Sequence, residues 1–389
     1  MEYIPRAVTQ LLHQASQQFP AVLVTGARQC GKTTLLRHAF PSATHILLED
    51  PDVIARVRSD PRGFLDGIKN PVVLDEIQNT PELLAYIRTR VDQDPAIKGQ
   101  WLLTGSQEAP LMRGVTESMA GRAAVLELFP LSSVETAKVS ILHGGFPDVV
   151  LNPGNAELWF RSYVQTYLER DVRSVTAVKD LATFRRFMAL LASRHGQILN
   201  KTDLAAPLGV SVPTITAWLS VLEVTGQVIL IPPFFENFGK RLVKSPRLYF
   251  LDSGLVCHLL GIDHENALTR SPFHGALFEG FAASEVIKHQ ASCGRRRELY
   301  YFRDQQGLEV DFVIPQGTGK LLLVECKTTT TPMPSQANAM RRLAKSIKGY
   351  EVDAILLHGG SADSVAGSTL APGVSTGPLP HLLARLRGA

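Results

Sequence analysis

Eight consecutive residues, GARQCGKT from Gly26 to Thr33, match the phosphate-loop pattern GxxxxGK[ST] in full. An apolar stretch, Ala21 to Val24, precedes them and a helical stretch, Thr33 to His38, follows. Gly26 and Gly31 let backbone N–H groups wrap a phosphate, and the helix N-terminus adds a favourable dipole. In that arrangement Ala27, Arg28, Gln29, Cys30 and Thr34 complete the nucleotide contacts. Lys32 would reach the β- and γ-phosphates, and Thr33 would ligate Mg²⁺.

A second stretch, VVLDE from Val72 to Glu76, delivers two acids to the end of an apolar strand. Open α/β sheets place their ligands at that end. Asp75 would hold Mg²⁺ through water, and Glu76 would polarise the attacking water. A third strand, WLLTGS, ends in Thr104 and Ser106. Either hydroxyl could sense the γ-phosphate or simply cap the next helix. Arg122, in MAGR, is the candidate arginine finger or sensor, with Arg113 as its competitor.

Chemistry also shows in the C-terminal third. LEVDFVI and LLLVECK flank a Pro/Gly turn and read as a β-hairpin. Strand alternation puts Glu325 and Lys327 on one face, and pairing lets Asp311 converge with them. Oxygen ligands of this kind suit a second Mg²⁺ or Mn²⁺. Lys327 would stabilise phosphorane-like charge or orient water. Glu279, on an upstream amphipathic helix, could add a third carboxylate, with Glu285 as the alternative. An ordinary cross-strand ion pair between Asp311 and Lys327 is the competing reading. Asp304 and Glu309 read as surface charges.

The elements that must position these groups fall into zones. Residues 1–150 alternate short apolar strands with helices, the mark of a doubly wound parallel sheet. Residues 151–270 are mostly helical. There NKTDLAAPLGVSVPTITAWLSVLEVTGQ reads as a helix-turn-helix: Lys201 to Leu208, a turn at Gly209, then Val212 to Val224 capped by Ser211. Strands from Gln227 and near Arg247 would form a wing. The second helix carries no Lys or Arg, which speaks against a base-reading role. The nearby charge is on Lys240, Arg241, Lys244 and Arg247. Residues 271–360 return to α/β, and the small-residue-rich stretch 361–389 reads as a flexible tail ending in one short helix.

The 389-residue chain is long enough for two or three domains. Its apolar content of 45% and net charge of +4 are ordinary, permitting a nucleic-acid partner without requiring one. It has no run of 18 apolar residues, so no membrane span is expected. Four scattered cysteines and an N-terminus without a secretory pattern lead to the expectation of a cytoplasmic protein with reduced thiols.

Taken in order, VTGARQCGKTTLL, VVLDEIQ, WLLTGSQ, AGRAAVLELFPLS, YLERDV, KSPRLYFLDSGL, LFEGFAASE and YYFRDQQGLEVDFVI with VECK resemble a group of prokaryotic predicted ATPases of the AAA+ superfamily. The resemblance covers about residues 3 to 360. It implies an AAA domain that binds ATP, a winged helix, and a C-terminal domain of restriction-endonuclease-like (PD-(D/E)xK) fold. It implies no known substrate, and Cys30 is not constant in the group. The expected fold is thus α/β: a P-loop NTPase domain, a helical winged-helix domain and an endonuclease-like α/β domain. The expected function is an ATP-binding, ATP-hydrolysing protein acting on or with nucleic acid, extending to an ATP-regulated metal-dependent nuclease. The alternative is a switch ATPase whose remaining domains only bind DNA or a protein. A homo-oligomer is compatible with either. Glu169, Arg170 and Asp171 in YLERDV would link the ATPase to the winged helix or form a charged helix face.

Overall fold

The computed structural model describes residues 2–105, 118–168, 181–234, 244–360 and 367–387. Expectations for Ser106, Arg113, Glu169, Arg170, Asp171, Lys240 and Arg241 lie outside the described residues.

Five N-terminal strands are short and apolar: β1 (Ala21–Thr25), β2 (Thr44–Leu47), β3 (Val72–Asp75), β4 (Trp101–Gly105) and β5 (Ala123–Glu127). They form one parallel sheet in the order β2-β3-β4-β1-β5. β1, β3 and β4 are apolar on both faces because helices cover both sides. Ala21 and Leu23 pack on one face with Leu74, Leu103 and Ile87. Val22 and Val24 pack on the other with Leu35 and Leu36 of the helix Lys32–Ala39.

The middle region is helical, with a core around Tyr163, Phe184, Phe187, Trp218 and Leu222. The helices Lys201–Leu208 and Val212–Val224 meet at 111°. Gly209 makes that turn at φ 66°, and the Ser211 hydroxyl accepts from the Thr214 N–H at 3.2 Å. Strands β6 (Val228–Ile231) and β7 (Arg247–Phe250) pair antiparallel, with Ile231 opposite Arg247. The helix pair, its turn and the antiparallel strand pair occur in the order read from the sequence. The exposed positions of its second helix include Thr216, Ser220 and Glu223, and no base. Among the described residues no single helix is long and apolar enough to cross a membrane.

The last sheet is mixed. Strands β8 (Tyr300–Arg303), β9 (Glu309–Pro315), β10 (Lys320–Lys327), β11 (Glu351–His358), β12 (Ser368–Ala371) and β13 (Val374–Gly377) run in the order β12-β13-β11-β10-β9-β8. The long helix His274–Ser292 and the last helix Leu379–Arg387 cover one face, and Asn338–Ser346 covers the other. This corrects the expected flexible tail. Residues 367–377 form β12 and β13, with β13 parallel to β11. Leu382, Leu383 and Leu386 are buried in the core. Four-residue strands made of small and polar residues carry almost no local β signal; pairing with β11 creates them.

Candidate functional site

Gly26 and Gly31 take φ of 152° and 97°, a region other residues rarely adopt. A Cβ on Gly26 would lie 2.0 Å from the Leu128 carbonyl oxygen, so only glycine fits there. Lys32 is buried, and its ammonium donates to the carbonyls of Gly26 at 3.2 Å and Ala27 at 3.1 Å. The Thr33 hydroxyl lies 2.8 and 3.0 Å from the two carboxylate oxygens of Asp75. Parallel register explains the meeting: β1 and β3 both end at the same edge of the sheet, and the loop leaves β1 there.

A cavity of about 600 Å³ opens over this edge. Arg28, Gln29, Gly31, Lys32, Thr33, Thr34, Asp75 and Glu76 line it. Gly26, Ala27 and Cys30 shape the loop from behind. Cys30 is fully buried, with its thiol against the Leu128 carbonyl at 3.3 Å, and burial pushes its pKa up. Glu76 has a left-handed backbone, φ 61°, and its carboxylate accepts from the Gln78 amide. The glycine loop, the Thr33–Asp75 pair and the cavity fit ATP with Mg²⁺. Phosphate binding would draw on Lys32 and the loop N–H groups, and the metal on Thr33 and Asp75.

Two expected contacts are placed elsewhere. Thr104 does not line the cavity. It is fully buried, its hydroxyl donates to Asp75, and it accepts from the Glu76 N–H at 2.9 Å. It positions both acids rather than facing a phosphate. Arg122 precedes β5, and Ala21 pairs with Ala123, so it sits at the edge opposite the loop. There it forms an exposed ion pair with Asp92, at 2.5 and 3.0 Å. It cannot reach the nucleotide cavity of its own chain.

Other residues at the site carried no motif. Arg6 is buried and donates to the Cys30 carbonyl at 2.9 Å and the Phe129 carbonyl at 2.6 Å. It also pairs with Glu135 at 3.0 Å. Tyr3 stacks on His38 with ring centres 3.7 Å apart, and both line the cavity. Pro147, Asp148 and Leu151 line it as well. A lone arginine in YIPRAV resembles any surface arginine, so composition offered no signal for Arg6.

The C-terminal acids do converge. Phe312 pairs with Val324, which sets Asp311 and Glu325 side by side at the open end of that ladder. Asp311 accepts from the Cys326 N–H at 2.9 Å, and Lys327 donates to Glu325 at 2.7 Å. Glu279 joins them from the long helix. Burial, reinforced by the Asp311 charge, pushes both Glu279 and Glu325 above the ordinary carboxylate range. The central cation is unexpected. Arg247, counted from the sequence among the basic charges near the wing, is 4% exposed. Its guanidinium lies 2.8 Å from Glu279, contacts Glu309, and lies 3.6 Å from Asp311. Among the described residues no group of three or more acids, histidines or cysteines is arranged to hold a metal ion. The cluster as folded does not fit a second Mg²⁺ or Mn²⁺.

Three neighbouring acids also differ from expectation. Glu285 is fully buried away from the cluster, accepting from Ser133 and pairing with Lys288 at 3.1 Å. It ties the long helix to the segment after β5. Glu309 contacts Arg247 while its side chain stays partly exposed and also pairs with Arg303. Asp304 is buried and closes the β8–β9 turn by accepting from the N–H groups of Gln306 and Leu308, each at 2.9 Å.

The sheet order, the glycine loop and the Thr33–Asp75 pair define a P-loop domain of AAA type. A family model for an AAA domain matches residues 18–137. Two domains of unknown function, DUF8612 and DUF4143, match residues 134–266 and 274–372. The uncharacterized proteins Rv2008c of Mycobacterium tuberculosis and Mb2031c of Mycobacterium bovis are each 34% identical to this chain over 333 residues. The aligned part is 84% of this chain and 74% of each relative. The chain belongs to this family of AAA-domain proteins. The Walker-type ATPase PABY2304 of Pyrococcus abyssi superposes with a TM-score of 0.42 at 16% identity, over 66% of this chain and 96% of that one.

Proposed function

We propose that the protein is an ATP-hydrolysing switch whose nucleotide state is felt by the middle and C-terminal regions. One observation carries this reading: the nucleotide cavity is shared. Its lining combines the phosphate loop, Asp75 and Glu76 with Pro147, Asp148 and Leu151, where the middle region begins. The turn at Gly226, after the second helix of the winged region, comes within 4.0 Å of the Ala27 N atom when a Cβ is placed on it. The long helix adds Lys288 to the Leu131 carbonyl at 3.0 Å and Glu285 to the Ser133 N–H at 2.7 Å. A change in loop geometry therefore presses on elements that belong to all three regions.

Bound ATP with Mg²⁺ would supply the γ-phosphoryl group and neutralise charge on its oxygens. The chain's own part is positioning. Lys32 and the loop N–H groups orient the phosphates, Thr104 fixes Asp75 and Glu76, and the Glu76 carboxylate orients water and accepts its proton.

Hydrogen exchange with and without ATP tests the switch. Protection should change in residues 147–168 and 212–226 as well as in the loop, and Lys32→Ala should abolish both changes. Exchange differences confined to residues 20–40 would sink the switch while leaving nucleotide binding intact.

A second reading is a nuclease centre at Asp311, Glu325 and Lys327, acting on DNA. It draws on one observation, that Glu325 Oε2 is buried without a partner. It is the weaker reading because the neighbouring carboxylates are committed to Arg247.

A further inference from the structure

The Arg247 cluster joins two regions. Arg247 starts β7 of the winged region, and its backbone bridges to Ile198. Its side chain leaves that region and enters the C-terminal one. There Glu279 comes from the long helix, and Glu309 and Asp311 come from β9. The Tyr301 ring lies 5.0 Å from the guanidinium carbon, adding a cation–π contact. Beside the cluster, the Tyr301 hydroxyl donates to the Ser245 carbonyl at 2.5 Å, and Pro233 bridges to Tyr301. Arg303, 3.5 Å from Glu309, is the outer cation, and Lys327 serves Glu325.

We propose that Arg247 is a built-in cation that takes the place a divalent metal would need among Glu279, Glu309 and Asp311, so that the cluster is a closed latch between the winged and C-terminal regions. The chemistry favours arginine for this task. A planar guanidinium offers five N–H donors in a fixed fork, enough to serve several carboxylates at once. A hard divalent ion needs the same oxygens at close range. It would also have to sit against a buried positive charge that water cannot screen. Metal and guanidinium therefore exclude one another at Glu279 and Asp311. The latch is independent of the proposed hydrolysis: it needs only the folded chain.

The test counts Mn²⁺ bound by the nucleotide-free full-length protein, read by electron paramagnetic resonance of the free ion. Arg247→Met should bind one Mn²⁺ more than wild type, and adding Asp311→Asn should remove the extra ion. Any Mn²⁺ held at Thr33 and Asp75 is common to all variants and cancels. Wild type already binding an Asp311-dependent Mn²⁺ would overturn the proposal, because metal and arginine would then coexist. No gain in a folded Arg247→Met would overturn it too. Should Arg247→Met show no cooperative thermal transition, Arg247→Gln takes its place. Glutamine removes the charge and keeps a polar side chain of similar length, so it should open the cluster to a cation and gain Mn²⁺. Absence of that gain refutes the latch.

Discussion

Replacing Thr104 by valine separates a positioning hydroxyl from a phosphate sensor. The two side chains have nearly the same shape, so no cavity forms. The wild-type hydroxyl makes two bonds inside the protein, donating to Asp75 and accepting from the Glu76 N–H. The position is fully buried, so water cannot take over either bond. An orphaned buried N–H costs about 1–3 kcal/mol, and a lost bond to a charged acceptor about 1.5–3 kcal/mol. Asp75 keeps its two contacts to Thr33, which softens the second figure. A net loss of about 2–4 kcal/mol follows, lowering the nucleotide-free melting temperature by at least ~4 °C. Scanning calorimetry of nucleotide-free protein reads this directly. ATP affinity should stay within about twofold, because Thr104 does not line the cavity. The turnover rate should fall more than tenfold, because Glu76 loses its backbone anchor. A nucleotide-free melting temperature within about 1 °C of wild type, with ATP affinity clearly weakened, would refute this placement and restore a sensor role.

Other perturbations reach the rest of the molecule. Arg122→Ala should leave ATP binding and turnover by the isolated chain unchanged, since its hydrogen-bond partners among the described residues are Asp92 and the Ala120 carbonyl at the far edge; a large loss of turnover in a monomer would contradict this. Deleting residues 367–389 should remove the C-terminal cooperative transition, because Leu382, Leu383 and Leu386 together contribute roughly 5–9 kcal/mol of burial. An unchanged calorimetric trace would show that the last strands and helix are dispensable. His195 gives a pH dependence. Burial lowers its pKa from 6.5 to about 3, and its Nδ1 accepts from the Phe250 N–H at 3.1 Å. Between those two values the unfolded chain binds more protons than the folded one, so stability falls as pH falls from about 6.5 towards 3. His195→Asn keeps an acceptor and cannot titrate, so unfolding at pH 7 and 4.5 should show a smaller pH-dependent loss than wild type. Equal losses would place the acid sensitivity elsewhere.

The nucleotide site was legible because its chemistry is local. Gly26, Gly31, Lys32 and Thr33 are neighbours in sequence, and the loop they form depends mainly on their own backbone freedom. Asp75 was legible as well, because an apolar run ending in an acid places that acid at the ligand edge of a parallel sheet. The same rule counts against Arg122: a residue that precedes a strand lies at the opposite edge, and β1–β5 pairing makes the consequence concrete. Asp311, Glu325 and Lys327 could be brought together from strand alternation alone, since a hairpin has a short-range register.

Tertiary structure decided what those groups face. Arg247 meets Glu279 across 32 residues of chain. Arg6 meets Glu135 across 129, and Glu285 meets Ser133 across 152. Nothing in the flanking residues marks such pairs, because each side chain looks like an ordinary solvated charge until burial removes the water and leaves the other group as its partner. β12 and β13 depend on the same kind of distant help, taking their shape from β11 rather than from their own residues. The sequence by itself therefore determined the phosphate loop, the acid at the end of β3 and the hairpin pattern. Only packing decided that an arginine would sit among the C-terminal carboxylates, since which charge fills a buried cluster depends on how separate elements dock.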